Sequence, residues 1–149
     1  MRIRITLIRS FLLAFRGCDM LSRYLNYNTV LREEFSERIQ KISINAGFTC
    51  PNRDGSKGVG GCTYCNNQSF SPGYAKPVKS VLEQVEEGIG FFNHKYEGQK
   101  YLAYFQSYTN TYDKLENLVE LYEEALQHPK VVGLVVGTRP DCINDELLD

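Results

Sequence analysis

A chain of 149 residues and 17.1 kDa has room for one domain of ordinary size. With 42% hydrophobic and 23% charged residues and a net charge of −1, it is neither a disordered tail nor a broadly basic surface for nucleic acid, and no apolar run approaches the roughly 20 residues of a membrane span. Five cysteines are too few for a small disulfide scaffold and odd in number, so a cytoplasmic globular protein is expected, with a few cysteines that need a chemical reason.

Residues 1–19 differ from the rest: four arginines stand against Asp19 alone, and taking that +3 from the chain's −1 leaves −4 on the remainder. The apolar stretch Phe11–Phe15 is too short for a signal peptide, and no small-residue cleavage site follows. Residues 1–19 are therefore expected to be an extension, with Met20 as an alternative start; a weak amphipathic helix through Leu7, Phe11 and Phe15 is the second reading. Residues 20–149 form the folded body.

Residues 32–40 are charged and read as helix or loop. Ile42, Ile44 and Ala46 then alternate with polar residues at the period of a strand. Residues 51–61 hold four of the chain's 12 glycines and read as loop. Ser80 with Glu83 forms a capping box, followed by Val81, Leu82, Val85, Ile89 and Phe92 at helical spacing, with Gly88 and Gly90 weakening the helix towards its end. Tyr101–Phe105 is a short buried strand. A second helix opens near Asp113, carries Leu115, Leu118, Val119, Tyr122, Ala125 and Leu126, and stops at Pro129. Val131–Val136 is a third strand, apolar enough to be covered on both faces, and residues 144–149 open a third helix. The fold class is α/β. Strands alternating with helices imply a parallel sheet, whose carboxyl edge gathers the polar segments 50–69, 106–111 and 138–141.

The chemistry concentrates in Cys50, Cys62 and Cys65, spaced C-x11-C-x2-C. A disulfide leaves one of them unpaired. Structural zinc asks for four closed ligands, yet His94 and His128 lie in or beside helices, and Cys142 would have to reach across from another strand end. Three thiolates without a local fourth suit an iron–sulfur cubane with one open iron. The second function class left standing is a zinc-stabilised binding module without enzyme activity, and a third is a cluster-binding fragment that turns nothing over.

Gly47-Phe48-Thr49-Cys50-Pro51-Asn52-Arg53-Asp54-Gly55 and Gly60-Gly61-Cys62-Thr63-Tyr64-Cys65-Asn66, with Tyr101–Gln106 and Gly137–Asp141, resemble the radical S-adenosylmethionine superfamily and within it the YhcC-like subfamily. The resemblance runs from about residue 25 to the last residue, and the long first gap is familiar in the branch of elongator acetyltransferase-like and oxygen-independent coproporphyrinogen oxidase-like proteins. It implies that Cys50, Cys62 and Cys65 hold a [4Fe–4S] cluster, that S-adenosylmethionine binds the open iron and is reductively cleaved to a 5′-deoxyadenosyl radical, and that this radical takes hydrogen from a substrate the sequence does not name, with a tRNA or another modification target conceivable from the branch. It further implies an electron donor such as flavodoxin or ferredoxin, and a partial (β/α)6 TIM-like barrel of which this chain is the first half.

By the same resemblance Tyr64, Asn66, Gln106 and Ser107 border the cofactor, although Phe105-Gln106-Ser107-Tyr108 stands where two glycines and a glutamate are usual. A satisfied polar strand end is the equal alternative for Gln106. Arg139 pairs with a carboxylate or phosphate of a ligand, or with Asp141. Asn52, Arg53 and Asp54 brace the loop, Cys142 is a buried small hydrophobe, and the acidic residues Glu83, Glu86, Glu87, Glu123 and Glu124 form wet helix faces.

Overall fold

A computed structural model describes residues 24, 26–93 and 99–148. The expected extension 1–19, its boundary with residue 20, and His94 lie outside the described residues. The chain divides into two compact units, residues 1–39 and 40–149.

The described part of the first unit centres on α1, Tyr27–Phe35, so the charged stretch resolves as helix up to Phe35. Asn26 caps it by accepting the Asn28 N–H at 3.0 Å, and Ser36 closes it in the left-handed region at φ 54°.

A three-stranded parallel sheet in the order β1-β2-β3 follows, with β1 at Ile39–Ile44, β2 at Lys100–Phe105 and β3 at Val131–Val136, all but Ile39 in the second unit. Helices α2 (Val81–Asn93) and α3 (Leu115–Leu126) fill the two crossovers, and the four-residue α4 (Asp145–Leu148) follows β3. The alternation of helix and strand agrees with the sequence reading. β1 starts three residues earlier than its alternating pattern suggests and ends at Ile44, before Ala46.

The Ser80–Glu83 capping box forms in both directions: the Glu83 carboxylate accepts the Ser80 N–H at 2.8 Å, and the Ser80 hydroxyl accepts the Glu83 N–H at 3.1 Å. Val81, Val85 and Ile89 of α2 and Leu118, Tyr122 and Ala125 of α3 are buried with Ile42, Ile44, Tyr101 and Phe105 of the sheet. Two acidic residues read as solvated are in use. Glu124 of α3 accepts the Leu82 N–H at 2.9 Å, a carboxylate set on the positive end of the neighbouring helix, and Glu87 pairs with Lys79 at 2.6 Å.

Gly88 is a packing residue, where composition suggested only a weakened helix. A Cβ there would lie 2.4 Å from Cγ2 of Ile42 and 3.2 Å from the Tyr74 ring, so α2 approaches β1 too closely for any side chain at that turn. β3 departs from expectation in the other direction. Val131 is buried, but residues 132–136 of this edge strand are only half-buried. No helix among the described residues is long and apolar enough to cross a membrane.

Candidate functional site

The three polar segments meet at the carboxyl edge of the sheet. Thr109 donates its backbone N–H to the Thr49 carbonyl at 3.1 Å, which ties the segment after β2 to the approach of Cys50. Asn110, fully buried, stitches β2 to β3: its Nδ2 donates to the carbonyls of Phe105 at 3.1 Å and Gly137 at 2.7 Å. Those two acceptors fix the amide's orientation, and Oδ1 of the same side chain is buried with no hydrogen-bond partner among the described residues. Thr111 donates to the Cys142 carbonyl at 2.6 Å, closing the segment after β3 onto the same edge.

The start of the cysteine loop is held from α2. The buried Gln84 amide accepts the Asn45 N–H at 2.9 Å and donates to the Asn45 carbonyl at 3.0 Å, so the first residue after β1 is gripped at both backbone groups. Sequence reasoning missed Gln84, although its place on the apolar stripe, one turn before Gly88, is a legible sign of a polar residue buried for a purpose.

Beyond Cys50 the chain doubles back. The Cys50 carbonyl accepts Arg53 N–H at 2.8 Å, the Pro51 carbonyl accepts Lys57 N–H at 2.8 Å and Gly58 N–H at 3.2 Å, and the Asn52 carbonyl accepts Gly61 N–H at 2.9 Å. Gly60 and Gly61, at φ 82° and 88°, return the strand of the loop to Cys62. Asn52, Arg53 and Asp54 brace the loop as expected, with Asp54 accepting the Ser56 N–H at 2.9 Å and the Arg53 guanidinium lying 4.6 Å over the Tyr108 ring. Tyr108 itself is in the left-handed region at φ 65°, an unusual conformation for an aromatic residue held in place at this edge.

The sulfurs sit among donors. Burial pushes the Cys50 thiol up, but hydrogen bonds from the Thr109 side chain, the Asn52 backbone and the Arg139 guanidinium outweigh it and hold the thiol below its ordinary value. The Asn52 side-chain amide donates to Cys62 Sγ at 3.1 Å; it is the main cause of a lowered Cys62 thiol, with the Tyr64 hydroxyl second. Asn67 Nδ2 lies 3.7 Å from Cys65 Sγ. Cys50, Cys62, Cys65 and Cys142 are all free thiols. Among the described residues, no three His, Cys, Asp or Glu side chains converge closely enough, as they stand, to hold a single metal ion.

The other expected residues divide. Tyr64 stands beside Cys62, whose sulfur pushes its hydroxyl up, although the residue is 86% exposed. Asn66 is exposed beside the turn Asn67–Ser69 and its side chain caps nothing. Gln106 and Ser107 lie just past β2, Ser107 buried. Arg139 makes a bidentate pair with Asp141, both contacts at 2.9 Å, and Asp141 also binds Lys57 of the cysteine loop. Through Asp141, Arg139 thereby ties the loop after β3 to the cysteine loop. Cys142 is half-buried and not a core hydrophobe: its sulfur lies 3.9 Å from Asp141, and burial, then that carboxylate, push its thiol up. A cleft of about 630 Å³ opens beside it, between Pro51, Lys57, Thr111, Tyr112 and the turns of α4.

Over 119 residues the chain is 41% identical to protein YhcC of Escherichia coli K12, covering 80% of this chain and 37% of that protein. It is 37% identical over 127 residues to the uncharacterized protein YtqA of Bacillus subtilis, and 33% identical over 129 residues to an uncharacterized protein of Methanocaldococcus jannaschii; each alignment covers 85% of this chain, with 39% and 38% of the relatives. The chain thus spans under two fifths of the length of these relatives. No protein-family model and no solved structure matches it.

Proposed function

We propose that this chain is the cluster-binding part of an iron–sulfur radical S-adenosylmethionine enzyme, with Cys50, Cys62 and Cys65 holding a [4Fe–4S] cluster. One observation carries the reading: a C-x11-C-x2-C loop at the carboxyl edge of a parallel sheet whose thiols at Cys50 and Cys62 are biased towards thiolate by surrounding donors. Each ligand of a cubane attaches to a different iron, so three thiolates spread along one loop suit it better than they suit a single ion.

The chain offers a partner for S-adenosylmethionine as well. Asn110 Oδ1 is a buried acceptor without a donor, at the edge that also carries Gln106 and Ser107, and the ligand's ammonium is a donor of the required kind. When bound, the cluster supplies the electron that splits S-adenosylmethionine into methionine and a 5′-deoxyadenosyl radical. The protein's part is to bias Cys50 towards thiolate through Thr109, the Asn52 backbone and Arg139, to hold the start of the loop through Gln84, and to tie the ends of β2 and β3 through Asn110.

The three βα units are, in this proposal, the first half of a partial (β/α)6 barrel. The half-buried edge strand β3 and the greater length of the relatives support it. The location is the cytoplasm, the electron comes from a flavodoxin or ferredoxin, and the substrate is unassigned.

Anaerobic reconstitution with iron and sulfide tests the reading. A brown protein with about four irons per chain, whose reduced form gives the magnetic signal of a [4Fe–4S] cluster and which loses its iron on Cys62→Ala, is the expected result. A colourless protein holding one zinc refutes it.

A further inference from the structure

The 11 residues between Cys50 and Cys62 do more than connect two ligands. Their first residues fold back onto the second cysteine. The backbone of Asn52 accepts Gly61 N–H at 2.9 Å, which closes a clip around residues 53–60, and its side chain reaches Cys62 Sγ at 3.1 Å, ten positions ahead in sequence. Inside the clip, Gly55 N–H bonds to the Gly58 carbonyl at 3.1 Å and Asp54 bridges Val59. The fold-back across this gap is what brings a residue of the first segment beside the second sulfur.

The chemistry at that contact has one direction. A thiolate accepts hydrogen bonds and cannot donate, so the amide must present Nδ2, as it does. The two neighbouring cysteines are served differently. Cys50 has the Thr109, Asn52 backbone and Arg139 donors together, whereas Cys65 has one distant amide at 3.7 Å. Cys62 depends on Asn52 first and on the exposed Tyr64 hydroxyl second. Removing the Asn52 side chain therefore takes the 3.1 Å amide donor from Cys62 and leaves the donors of Cys50 and Cys65 in place.

We infer that Asn52 is a positioning residue that sets the reduction potential of the cluster through its N–H···S bond to Cys62. The inference rests on the cluster reading proposed above. An N–H dipole aimed at a ligand sulfur draws electron density from it and favours the reduced, more negative cluster over the oxidised one, so the bond holds the potential up. A residue that merely braced the loop would leave the potential unmoved.

The test uses the reconstituted 149-residue chain and two variants. Asn52→Asp keeps the size and the acceptor but removes the donor; Asn52→Ala removes the side chain. Iron and sulfide are counted first, and each protein is then titrated with a reductant under an electron paramagnetic resonance readout. Expected are iron contents equal to the native chain and, at the native midpoint, about a tenfold shift of the oxidised-to-reduced ratio towards oxidised, which for a one-electron couple is about 59 mV. Asn52→Asp shifts at least as far as Asn52→Ala, since a carboxylate beside the sulfur adds negative charge. Native and variant midpoints that coincide at equal iron content overturn the inference and leave the cluster reading standing. Loss of iron in both variants also overturns it, by making Asn52 an assembly residue. A native chain that takes up no iron overturns the cluster reading and this inference with it.

Discussion

Gly88 offers the most direct test of how the site's foundation is built, because two effects oppose each other there. Replacing glycine by alanine inside a helix ordinarily stabilises it by about 1 kcal/mol. At Gly88 the added Cβ would meet Ile42 Cγ2 at 2.4 Å, a distance that real methyl contacts do not tolerate. Ile42 is fully buried on β1, and its β-branch cannot swing aside, so the helix has to move. Overpacking of this kind costs about 1–3 kcal/mol, and so close a contact belongs in the upper part of that range. The expected net effect of Gly88→Ala is a loss of about 1–2 kcal/mol, read as a lowered urea midpoint with an unchanged slope. Gly90, two residues on, is exposed, and among the described residues nothing lies within 4 Å of where its Cβ would be, so Gly90→Ala should gain about 0.5–1 kcal/mol. Ile42→Ala should cost less in the Gly88→Ala background than alone, since it removes the clashing methyl. If Gly88→Ala stabilises the chain as Gly90→Ala does, the close approach of α2 to β1 is wrong, and with it the support that α2 lends to the cysteine loop.

Gln84→Leu should destabilise by about 2–4 kcal/mol, because it leaves the Asn45 N–H and carbonyl unpaired beside a buried side chain; faster amide exchange at residues 45–50, measured with the denaturation curve, distinguishes a loosened loop from a general loss of packing, and native-like exchange there refutes the role. Asp141 is held well below the usual carboxylate range by Arg139 first and Lys57 second, so its contribution to stability is complete above its unfolded value of about 3.9 and fades as pH falls towards the folded value. The stability gap between the native chain and Asp141→Asn should accordingly be constant above pH ~5 and shrink below pH ~4; a gap that widens in acid contradicts the pairing. In β3, amides directed at β2 should be protected from hydrogen exchange while the alternate ones exchange quickly. Full protection of Val131–Val136 in a monomer would mean that the strand's outer edge is already covered, and the half-barrel proposal would fail.

What was legible in the sequence follows from the range of the interactions involved. The capping box at Ser80 and Glu83, the apolar stripes of α2 and α3, and the alternation at Ile42 and Ile44 are local patterns, and the structure reproduces them. The gathering of residues 50–69, 106–111 and 138–141 at one edge was legible too, since a parallel sheet puts every strand's carboxyl end on the same side. Gly88 was illegible for the opposite reason: its demand comes from Ile42 and Tyr74, 46 and 14 positions away, and a helix propensity registers only the cost of the missing methyl. Gln84 and Glu124 were misread or passed over because each spends its polar atoms on a backbone group of a distant segment.

The same distinction orders the candidate site. The identity of the three cysteines is a matter of spacing, and spacing is local. What would tune them is not: the Cys50 donors come from Asn52, Thr109 and Arg139, one from each of the three loops that follow the strands. A chain that lost the register of its sheet by one residue would keep its C-x11-C-x2-C motif intact and lose that convergence, because a one-residue slip turns each strand's side chains to the opposite face and displaces the strand end that carries the donor. The sheet is therefore part of the candidate site, and Asn110, which fastens β2 to β3 with a single amide while its own oxygen has no partner among the described residues, is where the fold reaches that site most directly.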